Sequence, residues 1–175
     1  MRPLIKSTLA LAGVVTAAAI LIAATPSARI SGPPWISIEY PANPLDPSTR
    51  DAYLLVHAFH HGTPIQSTVS GKAEGLVNGE RKSIALRFDS TTRPGVYALR
   101  KQWTDEGVWS LVISVAQHDS DPAQALVELS ADGGISSVRV PTRREREWTI
   151  PRPITAQEVE QSLQTRATRT AQSRR

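Results

Sequence analysis

The sequence contains no cysteine, only one methionine, Met1, and few aromatic residues, which make up 5% of the chain. The absence of cysteine excludes disulfide bonds, thiolate metal sites and a cysteine nucleophile. The sequence also lacks the Gly-x-Ser-x-Gly motif of many hydrolases and the Gly-rich loop that binds phosphate groups. We therefore expect a protein that is not an enzyme and that carries no cofactor.

Long apolar stretches are absent except at the N-terminus. Arg2 and Lys6 precede an uncharged run from Leu9 to Ala24, and small residues follow it up to Ala28. A positive end, an apolar core and small residues, in that order, are typical of a secretory signal. The core is shorter than the roughly 20 residues that span a bilayer as a helix. We expect residues 1–28 to be a signal helix, either cleaved or kept as a membrane anchor, on a secreted or periplasmic envelope protein.

Residues 29–142 contain short alternating apolar and polar stretches that are separated by turn residues. Examples are the segments Trp35–Tyr40, Ser83–Phe88 and Val108–Ala116, with Asn78-Gly79 as a strong hairpin signal. The pattern predicts an all-β domain, an antiparallel sandwich of about 7–8 strands. The side chains predicted to face its interior include Ile84, Leu86, Tyr97, Trp109, Leu111, Val127, Val138 and Val140.

Three motifs in the β region occur in a characteristic order: Gly62-Thr63-Pro64-Ile65, Pro94-Gly95-Val96-Tyr97, and the segment from Gly107 to Ile113 with Trp109 at its third position. In this order they resemble the YtkA-like and FixH-like immunoglobulin-type domains of bacterial envelope proteins. The resemblance implies an immunoglobulin-like sandwich and an envelope location. Relatives of this type include copper-handling proteins, which typically use methionine-rich or N-terminal histidine ligands, and such ligands are not found in this chain.

The histidines are the candidate metal ligands. His57, His60 and His61 lie in or at the end of one predicted strand, and His118 lies in a polar loop. Imidazole suits copper or zinc, but His60 and His61 point to opposite faces unless the strand breaks there. We expect solvated or hydrogen-bonded histidines and no metal site, and the alternative is a weak copper or zinc site built from His60, His61 and His118.

The C-terminal residues 143–175 carry eight basic and four acidic groups, whereas residues 29–142 carry ten basic and twelve acidic ones. Thr155 and Glu158 predict a capping box at the start of a short helix, in which Val159 and Leu163 are among the few apolar residues. We expect Trp148 and Ile150 to pack back onto the sandwich and the chain from Thr165 onward to be disordered, so that residues 143–175 form a basic, partly disordered tail.

These features predict an exported, non-enzymatic envelope protein whose sandwich serves as a binding module for a protein or a ligand. The expected partner is an unidentified envelope protein or an anionic envelope polymer, and no nucleic acid, because the chain carries an export signal. An uncleaved N-terminal segment would add membrane association. A weak transition-metal accessory module is the first alternative, and a hydrolase or carbohydrate-active domain is the second.

Overall fold

The computed structural model describes residues 32–117 and 120–173. The predicted signal segment 1–28 and the candidate ligand His118 lie outside the described residues. The part of the chain that is described contains no helix long and apolar enough to cross a membrane.

The described residues form twelve strands, one short 3-10 helix and one α-helix. In chain order these are β1 (Trp35–Glu39), the 3-10 helix (Pro47–Thr49), β2 (Leu54–His60), β3 (Thr63–Pro64), β4 (Thr68–Val77), β5 (Glu80–Ala85), β6 (Phe88–Ser90), β7 (Val96–Leu99), β8 (Val108–Ala116), β9 (Ala123–Leu129), β10 (Ile135–Arg139), β11 (Thr142–Glu145), β12 (Trp148–Pro151) and α1 (Ala156–Ser173).

Most of these strands belong to two five-stranded antiparallel sheets. The first sheet has the order β1-β2-β7-β6, with the short β3 paired to β2, and the second has the order β10-β9-β8-β4-β5. Strands β11 and β12 form a separate hairpin. One continuous apolar core includes side chains from both five-stranded sheets, which confirms the predicted all-β sandwich. The two sheets contain ten strands in the described residues, where about 7–8 were predicted.

Strand β8 shows how the period-two pattern builds this core. Its residues Trp109, Leu111, Ile113 and Val115 are all buried, as predicted. Opposite them in the register of β4 stand the small residues Gly75, Ala73 and Gly71. A Cβ atom on Gly75 would lie 2.5 Å from the indole of Trp109, so the large ring needs a glycine beside it.

The two motif aromatics Tyr97 and Trp109 bury their rings and satisfy their polar tips on backbone groups. The Tyr97 hydroxyl donates to the Ser67 carbonyl at 2.9 Å and accepts from the Ser67 amide at 2.9 Å. Trp109 Nε1 donates to the Glu106 carbonyl at 2.8 Å. Because Tyr97 lies in the first sheet and Ser67 directly precedes β4 of the second, the tyrosine ties the two sheets together.

The segment predicted as one strand, Ser83–Phe88, is divided between the two sheets. Strand β5 ends at Ala85 in the second sheet, and β6 begins at Phe88 in the first. The Leu86 amide donates to the Gly71 carbonyl at 2.9 Å at the crossing, and Leu86 itself is buried. Ile84, Leu86 and Phe88 still face the core, as predicted. The side chains keep alternating between inside and outside where the chain crosses from the second sheet to the first.

Two predictions about burial are wrong. Val138 is 42% exposed, because β10 is an edge strand with a partner on one side only. Trp148 does not pack into the sandwich and is 66% exposed on the β11–β12 hairpin.

The C-terminal helix opens with the predicted capping box. The Thr155 amide donates to Glu158 Oε2 at 2.9 Å, and the Glu158 amide donates to Thr155 Oγ1 at 3.2 Å. The helix is not short, however, and it continues past Thr165 to Ser173, where we expected disorder. Val159 and Leu163 are buried against Leu126 on the outer face of the second sheet, so tertiary packing stabilises a helix of modest intrinsic apolarity.

A buried arginine completes the docking of the helix. Arg166 is 8% exposed and donates to the Leu129 carbonyl and to Ser110 Oγ, and Ser110 Oγ also lies 2.9 Å from Ser162 Oγ. Burial lowers the pKa of the Arg166 guanidinium, with an opposing contribution from the charge of Glu128. The hydrogen bonds of Arg166 fix the position of the helix on the second sheet, and the apolar contacts of Val159 and Leu163 bury one face of the helix.

Candidate functional site

A groove of about 660 Å³ lies at one end of the sandwich, where the start of β1, the end of β2 and the β11–β12 hairpin come together. Trp35 and Phe59 are partners in the β1–β2 register, so their side chains stand side by side on one face of the first sheet. Trp148 contributes a third aromatic ring from the hairpin. Strands far apart in the sequence thus supply an aromatic lining.

The four tryptophans of the chain fall into two pairs. Trp103 and Trp109 are 7% and 4% exposed and belong to the core, whereas Trp35 and Trp148 line the groove. A tryptophan that is two-thirds exposed leaves a large apolar surface in water, and such surfaces in a concave setting mark contact sites.

His60 is the buried polar group of the groove. It is 7% exposed at the end of β2, and its ring meets the ring of His61 edge-on with the centroids 4.2 Å apart. Among the described residues, its ring nitrogens have no hydrogen-bond partner. The described side-chain nitrogen and oxygen atoms that are both fully buried and unpaired are Ser67 Oγ and Arg93 Nε, so the ring nitrogens of His60 stay open to the groove and can form a hydrogen bond with a ligand.

Both turns that border the groove place a bulky residue in the left-handed backbone region. His61 has a φ of 47° in the two-residue turn that joins β2 to β3, and Arg146 has a φ of 55° in the turn that joins β11 to β12. Glycine or asparagine adopts this conformation at less cost, as Asn78 and Gly79 do in the β4–β5 hairpin. Backbone strain of this kind concentrates at functional sites.

The charged groups at the groove are close to balanced. Glu145 accepts from Arg143 at 3.2 Å, and Arg143 also donates to Asp121 at 3.0 Å. These hydrogen bonds, that to Asp121 first, raise the pKa of the Arg143 guanidinium. Glu145 is paired with Arg143, and the adjacent Arg146 and Glu147 carry opposite charges. The lining of the groove therefore has no dominant sign of charge.

The structure brings two of the three candidate metal ligands together. His60 and His61 both line the groove and touch each other, while His118 lies outside the described residues. Within residues 32–117 and 120–173, no three histidine, aspartate or glutamate side chains are arranged to hold a metal ion. The described part of this site therefore offers two imidazoles.

His57 belongs to a different cluster, on the outer face of the first sheet. Its Nε2 atom lies 2.8 Å from Glu39 Oε2, and the Arg93 guanidinium donates to the same oxygen at 3.4 Å. Arg93 Nε also lies 3.7 Å from Asp46 Oδ2, in the loop that follows β1. The cluster connects this loop to the sheet and has the character of a structural ion-pair network.

Comparisons with family models, with curated proteins and with solved structures find no match for this chain. The resemblance to YtkA-like and FixH-like domains therefore stays a prediction that depends on the three motifs.

Sequence reasoning identified the histidines of the groove and missed its aromatic side chains. The sequence pattern predicts only a strand at Trp35, and it predicts that Trp148 packs inward. A usable signal was present at Trp148, which stands between Glu147 and Thr149 and close to Arg146, in a segment too polar to be buried. The contribution of Phe59 has no such signal, because it depends on the register of β1 and β2.

Proposed function

We propose that this protein is an exported, non-enzymatic binding module of the cell envelope, and that the groove is its ligand site. The observation that carries this proposal is that one groove is lined both by the exposed ring of Trp148 and by His60, a 7% exposed histidine whose ring nitrogens have no hydrogen-bond partner among the described residues. A concave site with a largely apolar lining and a few convergent polar groups is the usual form of a ligand pocket.

The order of the strands supports an immunoglobulin-like classification. The sequence β1-β2-β7-β6 in one sheet and β5-β4-β8-β9 in the other corresponds to the A-B-E-D and C′-C-F-G orders of such domains. Domains of this architecture commonly bind through loops and hairpins that a rigid pair of sheets holds in place. The fold does not name the ligand, because the same architecture serves many functions.

The envelope location is supported by the signal pattern of residues 1–28. An exported module of this kind has envelope proteins and envelope polymers as its available partners.

A fragment screen followed by NMR tests the assignment of the site. The indole N–H signals of Trp35 and Trp148 and the ring signals of His60 should shift with the same fragments, while the buried Trp109 signal stays fixed. Trp148→Ala should abolish most of these shifts. Leu45→Ala is the matched control, because Leu45 is an 88% exposed apolar residue outside the groove.

The site assignment fails if fragments bind elsewhere on the sandwich, or if Trp148→Ala leaves the shifts at His60 unchanged. Export is tested separately, by fusing residues 1–28 to a reporter enzyme that is active only outside the cytoplasm. An inactive fusion would refute the envelope location, and it would not affect the assignment of the groove as the ligand site.

A weak copper or zinc module remains the second candidate function, because the rings of His60 and His61 lie 4.2 Å apart. Titration calorimetry with Cu²⁺ and Zn²⁺ distinguishes it from the first. Stoichiometric binding that the double variant His60→Ala/His61→Ala removes would favour the metal function, whereas binding that survives in the variant would place the metal elsewhere.

A further inference from the structure

We propose that the ligand of the groove is an uncharged carbohydrate, bound with a pyranose ring stacked on Trp148 and its hydroxyl groups paired with His60 and the hairpin turn. This inference rests on the proposed function, since it names the class of ligand for the same site.

The aromatic lining supplies the first requirement of sugar binding. One face of a pyranose ring is a flat array of C–H groups, and such a face packs well against an indole, whose ring face is weakly negative. Trp148 is 66% exposed and stands on a strand, so its ring is presented to solvent by regular backbone rather than by a long loop. Trp35 and Phe59 extend the apolar surface across the groove.

The polar groups supply the second requirement. A sugar hydroxyl both donates and accepts hydrogen bonds, and a neutral imidazole offers one donor and one acceptor on the same ring. His60 is only 7% exposed, and neither of its ring nitrogens has a hydrogen-bond partner among the described residues. Glu147 offers acceptors, and Arg146 and Thr149 offer donors, along the other wall. The lining therefore offers both donors and acceptors, which are the two kinds of group that a sugar hydroxyl pairs with.

The charge balance argues for an uncharged ligand. Glu145 is paired with Arg143, and the remaining Arg146 and Glu147 carry opposite charges on neighbouring residues. A site for an anionic polymer needs an excess of cationic groups to offset the desolvation of its ligand. The groove has no such excess among its described lining residues.

An extended peptide is the competing class of ligand. A proline-rich peptide docks on aromatic grooves, but it presents carbonyl acceptors and few N–H donors, so it matches the acceptor groups of Glu147 and of an imidazole less well than sugar hydroxyls do. A peptide could also add a strand to the free edge of β1, which begins at Trp35 in the groove, but binding of that kind depends mainly on backbone groups and does not account for the exposed ring of Trp148. The observations favour the sugar, and the peptide becomes an outcome of the test.

The test is a titration of the purified full chain with cellotetraose, chitotetraose and mannotetraose, followed by tryptophan fluorescence and calorimetry. A proline decapeptide is titrated in parallel. We expect saturable binding of at least one saccharide, and a loss of affinity of about tenfold or more in Trp148→Ala. Trp148→Phe should retain most of the affinity, because it keeps an aromatic face.

The control variants separate stacking and hydrogen bonding from a loss of fold. Leu45→Ala should bind the saccharide as the unaltered chain does. His60→Gln keeps a donor and an acceptor and should weaken binding less than His60→Ala, and far-UV circular dichroism of each variant establishes that it is folded.

Three results overturn the carbohydrate assignment: none of the saccharides binds, the decapeptide binds in their place, or saccharide affinity is the same in Trp148→Ala. If fragments still shift Trp148 and His60 while no saccharide binds, the groove remains the ligand site and only the class of ligand is wrong. If neither fragments nor saccharides reach these residues, both proposals fail.

Discussion

Replacing Leu163 by alanine tests whether the C-terminal helix is an integral part of the domain. Leu163 is fully buried at 0% exposure and contacts the outer face of the second sheet with Val159 and Leu126. A solvated basic tail, as the composition suggests, would not respond to this change. A docked helix would lose packing at the centre of its contact.

The expected loss follows from the atoms that are removed. Leucine to alanine deletes three carbon groups, and about 0.8 kcal/mol per buried group amounts to roughly 2.4 kcal/mol of lost transfer free energy. A cavity term adds to this, and measured values for such changes span about 2–5 kcal/mol. Because the site lies beneath a single surface helix that can settle into the space, we expect about 3 kcal/mol. For a domain of this size that lowers Tm by roughly 10 °C.

Urea denaturation followed by two probes measures the effect. Tryptophan fluorescence includes the two core indoles, and far-UV circular dichroism follows the helix. If both transitions shift together, the helix and the sandwich unfold as one unit. Gln161→Ala is the matched control, because Gln161 lies on the exposed side of the same helix and its loss should cost less than about 0.5 kcal/mol. The reasoning is refuted if Leu163→Ala is no more destabilising than Gln161→Ala.

Three further predictions concern other contacts. Arg166→Met should cost less stability in urea denaturation than Arg166→Ala, because methionine fills the volume without a charge to bury, and equal losses would contradict this. The hydrogen bond from Arg152, then that from Thr155, lowers the pKa of Glu158 from 4.5 to about 2, so its contribution to stability is full above about pH 4.5 and disappears as the pH falls toward 2. Arg152→Ala should return the NMR titration midpoint of Glu158 toward its usual value, and an unchanged midpoint would count against the pair. Gly75→Ala should destabilise the domain by about 1–3 kcal/mol in urea, because its Cβ would lie 2.5 Å from the indole of Trp109, and a neutral effect would contradict the close contact.

Local patterns carried most of the fold prediction. The alternation along β8 placed its four buried side chains correctly, and Asn78-Gly79 forms the expected turn with φ angles of 52° and 83°. The capping box at Thr155 also formed as predicted. Each of these depends on residues within a few positions of one another, which is the range over which side-chain parity and turn chemistry act.

The tertiary structure decided what depends on distant residues. The helix continues beyond Thr165 because it packs on the outer face of the second sheet at Leu126. No local feature of residues 143–175 indicates this packing. Trp35 and Trp148 line the same groove. They lie close together only because the two sheets pack on each other and the β11–β12 hairpin lies at the end of the sandwich. The amino-acid order alone thus determines strands, turns and caps through short-range sterics, whereas the binding surface arises from contacts whose partners are selected by packing.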